Sequence, residues 1–104
     1  MPIDRHTGEF IDLSEAKILA HDFQNDFPSS HKCYYLGAEK LQELLAQEGC
    51  MGIRIYRALD KTRGEETLVL VGVNAECKDM TDGKILDRMV PCPSICDINS
   101  PLSL

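Results

Sequence analysis

Thr67–Val73, which reads TLVLVGV, decides how the rest of this 104-residue chain must be arranged. It is a run of β-branched and apolar side chains bounded by Gly64 and Asn74, the pattern of a strand rather than a helix. It is apolar on both faces, so it belongs in the middle of a sheet and needs cover on two sides. Upstream, Met51–Leu59 (MGIRIYRAL) alternates instead. Met51, Ile53 and Ile55 fall on one face and Arg54 and Tyr56 on the other, which is a half-buried strand. The intervening DKTRGEE, with Gly64, turns one strand into the next. Two strands alone are marginal in water. A third partner must come from GKILDRMV (83–90), whose Asp87 and Arg88 suit a sheet edge, or from a second copy of the protein.

Working back toward the N-terminus, IDLSEAKILAHDFQNDF (11–27) reads as a helix. Asp12 is placed to cap it, with Glu15 three residues on as a capping box requires. Leu13, Ala16, Ala20, Phe23 and Phe27 share one face, and Pro28 ends the ladder. SSHKCYY (29–35) reads as a connector. LGAEKLQELLAQEG (36–49) is a second helix with Ala38, Leu41, Leu44 and Leu45 on one side, and Gly49 stands where a left-handed cap is expected. The order predicts an α+β chain: two N-terminal helices packed on one face of a small antiparallel sheet of two to three strands, followed by an extended Cys/Pro-containing C-terminal tail. Phe23, Phe27, Leu41, Leu45, Ile53, Ile55, Leu68 and Leu70 are expected to share its core. The chain reads as a single domain, 1–104, ordered over 12–96, with 1–10 and 98–104 loose for want of periodic apolar positions.

Three segments, EGCMGIRIYRALD, LVLVGVNAECKDM and PCPSIC, resemble a family of small bacterial proteins with no assigned activity. The resemblance covers residues 36–96. It implies no catalytic residue, cofactor or ligand.

Composition narrows the function classes. A formal net charge of −6 opposes nucleic-acid binding, which depends on Lys and Arg neutralising phosphates. The cluster Arg54, Arg57, Lys61 and Arg63 is followed at once by Glu65 and Glu66. No stretch is long and apolar enough to span a membrane. Five cysteines are an odd number for a closed disulfide framework. With no apolar leader at the start, a cytoplasmic, thiol-reduced chain is expected. Gly-rich phosphate loops, nucleophile elbows and HExxH are absent. CKDMTDGKILD fails as a calcium loop, since Gly83 at its sixth place would put Met89 where the bidentate Glu belongs. No cofactor and no catalytic activity are expected.

Two groups of residues remain as candidates. Cys92 and Cys96 form a C-x3-C pair between prolines. A tetrahedral metal site would need two further ligands from Cys33, Cys50, Cys77 or a histidine, and HKC offers His31 and Cys33 close together. A redox pair would need a stabilised thiolate, and no helix begins after Cys92. The alternatives are a disulfide between the two, or small buried thiols in a tail held extended by Pro91 and Pro93. Arg54 and Tyr56 lie on the polar face of the first sheet strand, beside either the Val69/Val71/Val73 set or the Leu68/Leu70 set. Such a pair next to aliphatic residues has the composition of an interface core, or of an arginine that covers its own sheet. The expected function is a small interaction or binding module, a homo-oligomer assembled through its sheet. The alternative is a metal- or thiol-dependent protein using Cys92 and Cys96.

Overall fold

The computed structural model describes residues 2–104. Along the chain run α1 (Leu13–Asp26), β1 (Cys33–Tyr35), α2 (Ala38–Leu45), β2 (Cys50–Asp60), β3 (Glu65–Asn74), β4 (Ile85–Leu86) and β5 (Val90–Cys92). The architecture is α+β, with a three-stranded antiparallel sheet ordered β2-β3-β4 and a two-stranded one made by β1 and β5. Contacts divide the chain into two units. The first joins the N-terminal arm, up to Thr7, to Leu36–Met89; the second joins Gly8–Tyr35 to Val90–Leu104. Among the described residues no helix is long and apolar enough to cross a membrane.

In the first unit β3 is the central strand, as its two apolar faces require, and Leu70, Val71 and Val73 are buried. It pairs with β2 from Asp60↔Glu65 to Gly52↔Val73, and on its other side with β4 through Leu70↔Leu86 and Val71↔Ile85. The third strand therefore comes from within the chain. Asp60 Oδ1 accepts from the backbone N–H of Thr62 and Arg63, closing the β2–β3 turn. Gly64, at φ +67°, completes that turn in a conformation that a Cβ would disfavour. The register shifts between Cys50 and Gly52, which takes Met51 out of the alternation expected for it.

Helix α2 contacts both β2 and β3, but its buried line differs from the expected one. Leu44 is 1% exposed, whereas Leu41 and Leu45 are exposed. Gln47, one turn beyond Leu44, adds a polar contact. Its Nε2 donates to Leu44 O and its Oε1 accepts from the Lys84 backbone N–H, both at 2.8 Å. A polar side chain thus joins the end of the helix to the backbone at Lys84. The helix also stops earlier than its pattern suggests, capped at Ala46, and Gly49 (φ +83°) serves the turn into β2 instead. Ile55, Phe23 and Phe27 are likewise exposed rather than in the core.

In the second unit Asp12 Oδ1 accepts from Glu15 N–H at 2.8 Å, the cap read from the sequence. Phe23 and Phe27 stack with ring centroids 5.0 Å apart, and Pro28 follows the last turn. The segment 29–35 is more than a connector: Cys33–Tyr35 pairs antiparallel with Val90–Cys92. Three residues carry no usable periodicity, and their partner lies far along the chain. Gln24 is the buried polar group of α1. Its amide donates to Leu102 O at 3.0 Å and accepts from Leu104 N–H at 2.8 Å. His21 Nε2 lies 2.9 Å from Pro101 O, and Lys32 Nζ donates to Leu104 O at 2.8 Å.

Candidate functional site

A strand places residues i and i+2 on the same face. On β2 this sets Arg54 beside Tyr56, and the register puts Val71 opposite the first and Val69 opposite the second. The pair therefore shares its face with the valine set, including Val73, rather than with Leu68 and Leu70. What meets them there is Asp79. After β3 the chain turns on Asn74, whose Oδ1 accepts from the N–H groups of Glu76 and Lys78. Cys77 takes a left-handed conformation (φ +64°), and the chain returns to bridge Asp79 to Val73.

Arg54 Nη1 donates to Asp79 Oδ1 at 2.5 Å, Tyr56 Oη donates to Asp79 Oδ2, and Arg54 Nη2 reaches Cys77 O at 3.5 Å. Both carboxylate oxygens are engaged. The Tyr56 hydroxyl, then the Arg54 guanidinium, hold the Asp79 carboxyl below its ordinary range. The same hydrogen bond to Asp79 pushes the Tyr56 phenol up, and Asp79 raises Arg54 further. At neutral pH Asp79 is thus ionised with both oxygens occupied and Tyr56 is protonated. The cluster fixes the polar face of β2. The Asp79 side chain is 20% exposed and the Arg54 side chain 36%, so solvent still reaches the group.

The alternation of β2 placed Arg54 and Tyr56 together but did not bring Asp79 to them. The missed signal was electrostatic: a guanidinium on a half-buried strand face asks for a counter-charge, and Glu76 and Asp79 are the acids just beyond β3. Alongside, a groove of about 390 Å³ runs between Ile3, Asp4, Arg5 and Thr7 of the arm and Met51–Ile55 of β2.

Asp79 makes the acid limb of stability testable. Its carboxyl is depressed in the fold, so its contribution is present above the unfolded-state value and is lost as pH falls through the folded one. Tyr56, raised in the fold, contributes below its unfolded value and loses that contribution as pH climbs through the folded one. Urea unfolding of Asp79→Asn is expected to show a smaller loss than the wild type between about pH 7 and pH 3. Glu43 and Asp87, also depressed, stay in both proteins and cancel in the difference. Equal losses would contradict the cluster.

The other candidates lie in the second unit. Cys92 and Cys96 are joined by a disulfide with Cα atoms 5.0 Å apart. Cys92 is 2% exposed, and Cys33 stands directly across the β1–β5 ladder from it. His31 Nδ1 is buried with no hydrogen-bond partner among the described residues, its ring edge-on to Tyr34. Among the described residues no group of three or more His, Cys, Asp or Glu is arranged to hold a metal ion. No family model, no curated protein and no solved structure matches the chain.

Proposed function

We propose that the protein is a small interaction module that self-associates by pairing the open edge of β2 with the same edge of a second copy. The observation that carries this reading is the strand itself. β2 is eleven residues long, yet among the described residues no strand pairs with its outer side. An open edge of that length presents a row of unpaired N–H and C=O groups, which natural sheets normally shorten, charge or cover. Here the arm flanks Met51–Ile55, leaving Tyr56–Asp60 open, with Tyr56 and Leu59 exposed. This stretch is self-complementary. An antiparallel pairing that sets Ala58 against Ala58 of the copy also sets Arg57 against the copy's Leu59 and Tyr56 against its Asp60, each twice over by the two-fold axis. Arg54 and Tyr56, held by Asp79, flank the contact as its ordered polar face. The reading includes a cytoplasmic setting and neither catalytic activity nor a nucleic-acid or membrane partner.

Light scattering on the full chain tests it. The wild type is expected at twice the chain mass. Ala58→Asp, which sets like charges against each other at the two-fold axis, and Leu59→Lys are each expected at the single-chain mass with an unchanged circular dichroism spectrum. A monomeric wild type overturns the proposal, and so do variants that remain dimeric.

A further inference from the structure

The three sulfurs of the second unit support an inference independent of self-association. Cys92 has two cysteines within bridging reach. One is Cys96, to which it is bonded. The other is Cys33, its direct partner in the antiparallel β1–β5 ladder. Directly opposed residues of such a ladder have Cα atoms about 4.5–5.5 Å apart, inside the roughly 4.4–6.8 Å that a disulfide spans. Opposed side chains also leave the ladder on the same face. Access differs sharply between the sulfurs: Cys92 is buried, whereas Cys33 is an exposed thiol. Both line one cavity of about 240 Å³, floored by Ala20 and Gln24 of α1 and by Leu102.

We infer that Cys33 is the exchange partner of the Cys92–Cys96 disulfide, and that the bridge moves between the 92–96 and 33–92 pairings. The Cys33 thiol gives its proton to water, and the thiolate attacks Cys92 Sγ. The Cys33–Cys92 bond forms as the Cys92–Cys96 bond breaks; the electron pair leaves on Cys96 Sγ, which takes up a proton from water. Atoms and electrons balance without an external oxidant, because exchange only moves an existing disulfide. The two forms differ in what they hold. The 92–96 bridge closes a short loop within the tail. The 33–92 bridge ties the two strands of the ladder and presents Cys96 as a thiol. The site is therefore a thiol–disulfide switch, with Cys33 as its solvent-facing sulfur.

Disulfide mapping of the full chain tests this. The protein is equilibrated near neutral pH without reductant, quenched with acid, alkylated with N-ethylmaleimide and digested under non-reducing conditions. The wild type is expected to yield both the 92–96 and the 33–92 linked peptides, with alkylation at Cys96 rising as alkylation at Cys33 falls. Cys96→Ser, held in glutathione disulfide, is expected to make the 33–92 peptide its major species. Cys33→Ser is expected to retain the 92–96 bridge alone. The inference is overturned if the wild type yields only the 92–96 peptide at every time point. It is equally overturned if Cys33 forms bridges only between chains on non-reducing gels. The wild-type result stands whether or not Cys96→Ser folds.

Discussion

Leu44→Ala is expected to lower the unfolding free energy by about 2–5 kcal/mol, the range for truncating a fully enclosed leucine. Leu44 is 1% exposed and is the one α2 residue buried against β2 and β3. Its removal leaves a void that an eight-residue helix cannot close by shifting, because Gln47 ties the helix end to Lys84. The comparison that isolates the effect is Leu41→Ala, one turn earlier on the same helix. Leu41 is 38% exposed, so its truncation is expected to cost under about 1 kcal/mol. Chemical denaturation of the two variants checks both values. Equal losses would mean that α2 faces its sheet through the Leu41/Leu45 stripe.

Gly83→Ala is expected to cost about 1–3 kcal/mol although it adds a single methyl group. A Cβ on Gly83 would sit 2.3 Å from Gln47 Oε1 and 3.3 Å from Met80 O. The Gln47 side chain could move aside only by giving up its bond to the Lys84 N–H or to Leu44 O. The cost is therefore that of a broken clasp rather than of crowding alone. Gln47→Ala removes both the clasp and the obstacle. In the double variant the Gly83→Ala cost should largely disappear, giving strong coupling in a double-mutant cycle. Additive losses would show that Gln47 does not govern the approach of Gly83 to α2.

These two sites mark the boundary of what residue order discloses. The β2–β3 hairpin was legible because its period-2 alternation, its doubly apolar central strand and its turn all sit in one continuous stretch. Ile85–Leu86 as the edge was legible only as one of two sources for the third strand the hairpin needs, a second copy being the other. The Asp12 cap was legible because capping is a matter of three-residue spacing. The burial of α2 was legible in part: apolar periodicity put Leu44 in its stripe but did not single it out from Leu41 and Leu45, and it says nothing of Gln47, a polar residue whose amide satisfies two backbone groups. Cys33–Tyr35 pairing with Val90–Cys92 was hidden for a different reason: a three-residue ladder closed across most of the chain leaves no local pattern. The Arg54–Tyr56 side of the candidate site was legible from alternation alone. Asp79 was not, because a turn built on Asn74 and a left-handed Cys77 delivers it to the strand.

Amide hydrogen exchange along β2 tests the central claim, self-association through the β2 edge, most directly. In a strand paired on one side only, alternate N–H groups point toward β3 and are slow, while those between them face water and exchange freely. Pairing with a second copy makes the intervening set slow as well. The account predicts consecutive slow amides from Arg57 to Asp60 in concentrated protein, with the outward-facing set alone becoming fast on dilution. An outward-facing set that exchanges freely at every concentration, beside slow β3-facing neighbours, would contradict it.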